Sequence, residues 1–216
     1  VFGFLFLLLL PGGNFQAHPA PKMPFLDRLF YATVDYLNLN HERAIIRNGK
    51  RYLIPDQNIE MSIFYCWEAS AYNPGWWGKY DGRKLGCIRL LMAHYGETAF
   101  NLRAVNSENA DGSVDIGPMQ VNSCHWFSAP KSAPWSRFCK LNGLDQSKIW
   151  TIANPRNNFR FAALLNEKFI KSGQRTYHYD GRPRQIRFYC FLLKKMGMSQ
   201  ELAEYEKKMN NNLNQN

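Results

Sequence analysis

The chain has 216 residues, 45% of them hydrophobic, 15% aromatic and 20% charged, enough apolar material for one sizeable core without a metal or dense disulfides; collagen-like, coiled-coil and wholly disordered classes are excluded. A typical domain holds about 150 residues, so one main domain with an appendage is expected rather than two full domains. Lys and Arg number 27 against 17 Asp and Glu, a net charge of +10, which suits nucleic acid, an anionic membrane or an acidic cell-wall polymer alike and does not choose among them.

The first ten residues, VFGFLFLLLL, carry no charge and end at Pro11-Gly12-Gly13. They are too short to span a bilayer, which takes about 20 apolar residues, but they fit the apolar core of a secretory signal. Residues 1–13 are therefore read as signal-like, and export to the periplasm or cell envelope is expected. Residues 14–24 hold three prolines and read as a linker. Residues 25–86 are aromatic and irregular, with turn-rich text at Asn73-Pro74-Gly75 and Asp81-Gly82. This stretch reads as an N-terminal extension with one or two short helices and no assigned role.

A main domain is expected over 87–198. Ile88, Leu91, Met92 and Tyr95 mark one helical face that stops near Gly96, so Glu97 falls at the end of a buried helix. Asp111-Gly112 signals a turn, and Val114 alternating with Ile116 signals a short strand. Asn154-Pro155 predicts a helix start, with Asn as cap and Pro at the first helical position. A further helix is indicated by Ile186, Tyr189, Leu193 and Met196. Another opens at Ser199, so residues 199–216 read as a C-terminal helix with a polar tail. Between Ile152 and Met198, ten basic residues face two acidic ones, so the charge excess is concentrated late.

The five cysteines match no zinc spacing, and no metal or cofactor is expected. Export predicts two disulfides and one free thiol, with the pairing open. A Glu placed where apolar side chains exclude water has its neutral form favoured, which suits a proton donor. Glu97 is therefore the candidate acid. In a hydrolase, Asp111 or Asp115 is the candidate second carboxylate. His94 and His125 flank the same stretch and are given no role.

From Glu97-Thr98 the chain continues through Asn101, Ala104-Val105-Asn106 and Gly112-Ser113-Val114-Asp115-Ile116-Gly117-Pro118-Met119-Gln120-Val121-Asn122. In order and spacing this resembles the core of lytic transglycosylases of the soluble-transglycosylase (SLT) type, especially the small members that accompany conjugation, secretion and pilus machines. Asn154-Pro155-Arg156-Asn157-Asn158 resembles the family's Asp-Pro-x-x-Asn helix start, and Tyr177-His178 its late cleft segment. The resemblance covers roughly residues 87 to 195.

The resemblance implies a mainly α, lysozyme-like domain of goose-type or SLT kind, with a minimal β-hairpin beside the cleft. It implies Glu97 as catalytic residue, acting as acid and then as base, so that the C6 hydroxyl of N-acetylmuramic acid closes a 1,6-anhydro ring without water or cofactor. Thr98, Met119, Gln120, Asn122 and Tyr177 would contact substrate, while Asn106, Gly112, Asp115 and Gly117 would hold the motif. Peptidoglycan strands are the implied partner, with a secretion, conjugation or pilus apparatus beside them and no specific nucleic acid. Three rivals stand next to this reading: a goose-type-like muramidase that adds water, a wall-binding scaffold with weak turnover and, ranked last because no nucleic-acid motif accompanies the charge, nucleic-acid binding through the basic C-terminal half.

Overall fold

The computed structural model describes residues 24–47, 50–71, 82–125, 133–145, 147–171 and 183–213. The signal-like segment and the linker up to residue 23 lie outside them, as does Tyr177. In chain order the elements are α1 (Pro24–Leu39), a hairpin of β1 (Ala44–Arg47) and β2 (Lys50–Leu53), α2 (Asp56–Ser70), α3 (Gly82–Thr98), the short strands β3 (Val105–Asn106), β4 (Asp115–Ile116) and β5 (Val121–Asn122), α4 (Ala133–Asn142), α5 (Pro155–Lys171), α6 (Pro183–Lys195) and α7 (Ser199–Leu213). The fold is mainly helical with a small antiparallel sheet, as a lysozyme-like helical domain requires. That sheet has three strands in the order β3-β4-β5, one more than the expected hairpin.

Helix α3 is the axis of the molecule. Leu85 to Ile88 and Leu90 to Tyr95 are all buried, and a helix apolar around most of its circumference must be enclosed by neighbours. Helices α2 and α6 pack on it, α1 lies across both of them, and α5 packs on α2. Tyr36 of α1, Tyr95 of α3 and Phe188 of α6 meet in one aromatic cluster, with ring centroids 4.4 to 6.0 Å apart.

The boundary expected at residues 86 and 87 falls inside α3. Residues 25–86 contribute Leu26, Leu29, Leu37, Ile59, Ile63 and Cys66 to the same continuous core as α3, α5 and α6. They are part of the domain rather than a preface to it. The apolar spacing of Leu26, Leu29, Phe30, Thr33, Tyr36 and Leu37 gives α1 one buried face. Helix α5 begins as expected: Asn154 Oδ1 accepts the amide N–H groups of Arg156 at 3.0 Å and Asn157 at 3.4 Å, with Pro155 in the first turn.

All five cysteines are free thiols, so the expected disulfides do not form. Cys66 and Cys87 are fully buried, and burial pushes both thiols far above their ordinary value. Cys87 is committed to the Ile63 carbonyl at 3.7 Å.

Because α1 shares the main core, truncating Leu29, which is completely buried, is expected to destabilise the whole domain. Leu29→Ala should cost about 2–5 kcal/mol in urea unfolding with a single transition. Two transitions, with the main one unchanged, would restore the picture of a separable extension.

Candidate functional site

Glu97 stands in the last turn of α3, half-buried, between Gly96 and Thr98. A Cβ at position 96 would lie 1.7 Å from Gln185 Nε2, and Gln185 is fully buried there. Glycine at 96 is therefore what lets α6 lie directly on α3 beside the acid.

After Thr98 the helix stops abruptly. Ala99 and Phe100 take φ values of 48° and 66°, a left-handed region that costs a non-glycine residue about 1–3 kcal/mol unless its surroundings hold it. The Ala99 N–H donates to Tyr95 O, and the Asn101 N–H to Thr98 O, both at 3.1 Å. Asn58 Nδ2 of α2 donates to Phe100 O at 3.2 Å. The buried Phe100 ring packs against His94, Tyr95 and Phe188.

His94 lies one turn before Thr98 and is fully buried. Its Nδ1–H donates to the Pro118 carbonyl at 2.9 Å, and Ser62 Oγ of α2 lies 2.9 Å from Nε2. A neutral ring with the proton on Nδ1 satisfies both partners. Burial pushes its pKa down from 6.5 to about 4, against the opposing pull of the Pro118 bond. The Thr98 hydroxyl donates to the same carbonyl at 3.1 Å. Two side chains of α3 thus hold the turn between β4 and β5.

In the sheet, Asn106 pairs with Asp115, and Asp115 with Asn122. Directly paired residues share a face, so the three form one row. Asn122 Nδ2 donates to Asp115 Oδ1 at 2.8 Å, while Asn109 Nδ2 at 3.0 Å and Asn106 Nδ2 at 3.4 Å donate to Oδ2. Ser113 Oγ accepts from Asn122 at 2.7 Å and from Asn109 at 3.2 Å. In the other row, Val121 is buried and Ile116 packs on the core.

The β4–β5 turn is clamped from α5. Asn158, fully buried, accepts the Met119 N–H at 2.9 Å and donates to Ile116 O at 2.8 Å and Ile152 O at 3.2 Å. Gly117 has φ 79°, and a Cβ there would lie 2.4 Å from Asn158 Nδ2.

These contacts redistribute the expected roles. Thr98 is bound to His94 and Pro118, so it positions the helix end instead of reaching toward a ligand. Met119 is 1% exposed and belongs to the core; only its backbone serves the turn. Gln120 Nε2 folds back to Gly117 O at 2.9 Å. Asn122 and Asn106 hold Asp115, and Gly112 supplies the positive φ of 73° that its turn requires. Asp111 is fully exposed. Hydrogen bonds from the Ser113 side chain and amide lower its pKa, which makes it a turn residue. Tyr177 lies outside the described residues. Sequence reasoning gave no role to His94 or Asn109, and nothing local to either residue marks it.

No family model matches the chain, and no solved structure gives a significant match. Lysozyme 2 of Lucilia sericata is 41% identical to it over 49 residues, 23% of this chain and 34% of that protein. The chain thus spans about a third of the length of the curated relative it matches. Fold and partial similarity together support a lysozyme-like superfamily; they do not reach the SLT type.

Two outcomes test this architecture. Because His94 is held neutral in the fold, the stability it contributes is complete above its unfolded pKa of 6.5 and is lost as pH falls toward 4. The loss should reach about 3 kcal/mol; NMR titration should find the imidazole neutral until about pH 4, and a midpoint near 6.5 would refute the buried network. Gly117→Ala combines a left-handed φ with a clash on Asn158 and should lower the thermal midpoint by the equivalent of about 2–4 kcal/mol.

Proposed function

We propose that this protein cleaves the β-1,4 bond between N-acetylmuramic acid and N-acetylglucosamine in peptidoglycan, with Glu97 donating the proton to the leaving oxygen. The observation that carries the proposal is the shared Pro118 carbonyl, which fixes the helix end bearing Glu97 against the sheet bearing Asp115. Hydrolysis of a glycoside uses two carboxyl groups, one protonating the leaving oxygen and one attacking or supporting the cationic sugar. Asp115 suits the second role because three amide N–H groups fix its carboxylate. Partial similarity to a lysozyme favours the same chemistry. After proton transfer, Glu97 is the base that activates water.

The second reading is the non-hydrolytic route, in which Glu97 acts alone and the C6 hydroxyl closes a 1,6-anhydro ring. One observation favours it: the motif order from Glu97 to Asn122. A role in opening the wall for a secretion, conjugation or pilus apparatus rests on that motif resemblance alone.

Mass spectrometry of soluble products from purified peptidoglycan separates the two. Hydrolysis predicts reducing-end fragments from the wild type and rates lowered about 100-fold or more in both Glu97→Gln and Asp115→Asn. Anhydro products, one water lighter and released undiminished by Asp115→Asn, would establish the single-acid route. Undiminished release by Glu97→Gln would overturn both.

A further inference from the structure

The β1–β2 hairpin stands beside the turn that follows Glu97, and the two enclose a cavity of about 450 Å³. Ile45 and Tyr52 are cross-strand partners, share a face and both line the cavity. Tyr52 is 48% exposed, which leaves much of its surface available to a ligand. Ala99 and Phe100, both at positive φ, and Asn101 also line it, so the cavity adjoins the segment that follows Glu97-Thr98 in the chain.

The lining mixes apolar and polar groups in a pattern that suits a sugar. Asn58 spends its Nδ2 on the Phe100 carbonyl, which leaves its Oδ1 as an acceptor. Asn101 spends its Oδ1 on the Arg103 N–H at 3.0 Å, which leaves its Nδ2 as a donor. A pyranose offers an apolar C–H face to an aromatic ring and hydroxyl or acetamido groups to such amides. The volume lies within the range of about 300–1,000 Å³ common to small-molecule sites. Lys50 and Arg51, exposed on the same strand as Tyr52, complement the carboxylates of a peptidoglycan strand. A polymer cut at one bond must continue along the surface on both sides of it.

We infer that the β1–β2 hairpin is a substrate-binding arm, in which Tyr52, Asn58 and Asn101 form a saccharide subsite that takes the glycan strand beyond the bond cleaved at Glu97. The inference rests on the glycan-cleaving function proposed above and adds a binding site from a part of the chain to which the sequence assigned no role.

The test measures chito-oligosaccharide binding by calorimetry on the full chain carrying Glu97→Gln, with Tyr52→Ala and Tyr52→Phe added in turn. Tyr52 is half-exposed, so neither change opens the core. With Tyr52→Ala, hexasaccharide affinity should fall about tenfold, equivalent to ~1.4 kcal/mol, trisaccharide affinity should fall less, and Tyr52→Phe should restore most of the loss. Equal hexasaccharide affinity with and without Tyr52→Ala overturns the subsite. If binding depends on Tyr52 but the unmutated protein releases nothing from peptidoglycan, the subsite stands and the chemistry assigned to Glu97 falls. If no oligosaccharide binds, the subsite falls, and the chemistry at Glu97 is judged by product release from peptidoglycan alone.

Discussion

One carbonyl oxygen, that of Pro118, joins the two halves of the site. It accepts from His94 and Thr98 on the helix that carries Glu97, and it belongs to the turn between the strands that carry Asp115 and Asn122. Strands of two residues contribute too few ladder bonds to hold their own position. The sheet is therefore placed by side chains of the helical core: His94 and Thr98 from α3, and Asn158 from α5. Each of these bonds is buried or half-buried, where an unmet partner costs about 1–3 kcal/mol, so the arrangement is enforced as well as favourable. At position 118, proline contributes through its carbonyl, and the amide it lacks is not called on.

Backbone strain is concentrated in the same region. Of the four described non-glycine residues with positive φ, Ala99 and Phe100 follow Glu97-Thr98, and Gln120 closes the β4–β5 turn. Strain of this kind persists only where the surroundings over-determine it. Around Phe100 the determinants are an aromatic cluster and Asn58; around Gln120 they are Gly117 and Asn158. The abrupt end of α3 follows from these contacts, since one more helical turn would carry Phe100 away from His94 and Phe188. Ending the helix there leaves Glu97 half-buried in the last turn of α3.

Much of the helical frame was legible. The stripe from Ile88 to Tyr95, the Asn154-Pro155 start and the opening at Ser199 each correspond to an observed helix. Helix α2 was harder to read, because its buried face mixes Ile59 and Ile63 with Ser62, Cys66, Ala69 and Ser70, and polar or small residues dilute an apolar period. In the site, Glu97 and the row of Asp115 and Asn122 were visible as a motif. The part of His94 was not, because its partners lie 32 residues away at Ser62 and 24 residues away at Pro118. Local spacing carries no trace of such a bond. Met119 was misplaced because a motif gives the order of residues and not which side of a turn each one faces.

Charge segregation along the sequence turns out differently in space. Arg156 and Arg160 from the late basic stretch meet Glu68, Arg184 meets Glu42, and Lys195 meets Asp35. Partly exposed pairs of this kind add little stability each, but they neutralise the field that a basic face would otherwise present. Among the described residues the stretch is thus less bare of counter-charge than its composition suggests, and the acidic partners found there come from residues 25–86. The same residues supply α1 and α2 to the core, Ser62 to His94, Asn58 to the turn after Glu97, and the hairpin beside it. A domain cut at residue 87 would lose the Ser62 hydroxyl that meets His94 Nε2, the clamp on the strained turn and one wall of the adjoining cavity. The folded unit therefore includes α1, and Glu97 is held in place from both sides along the chain.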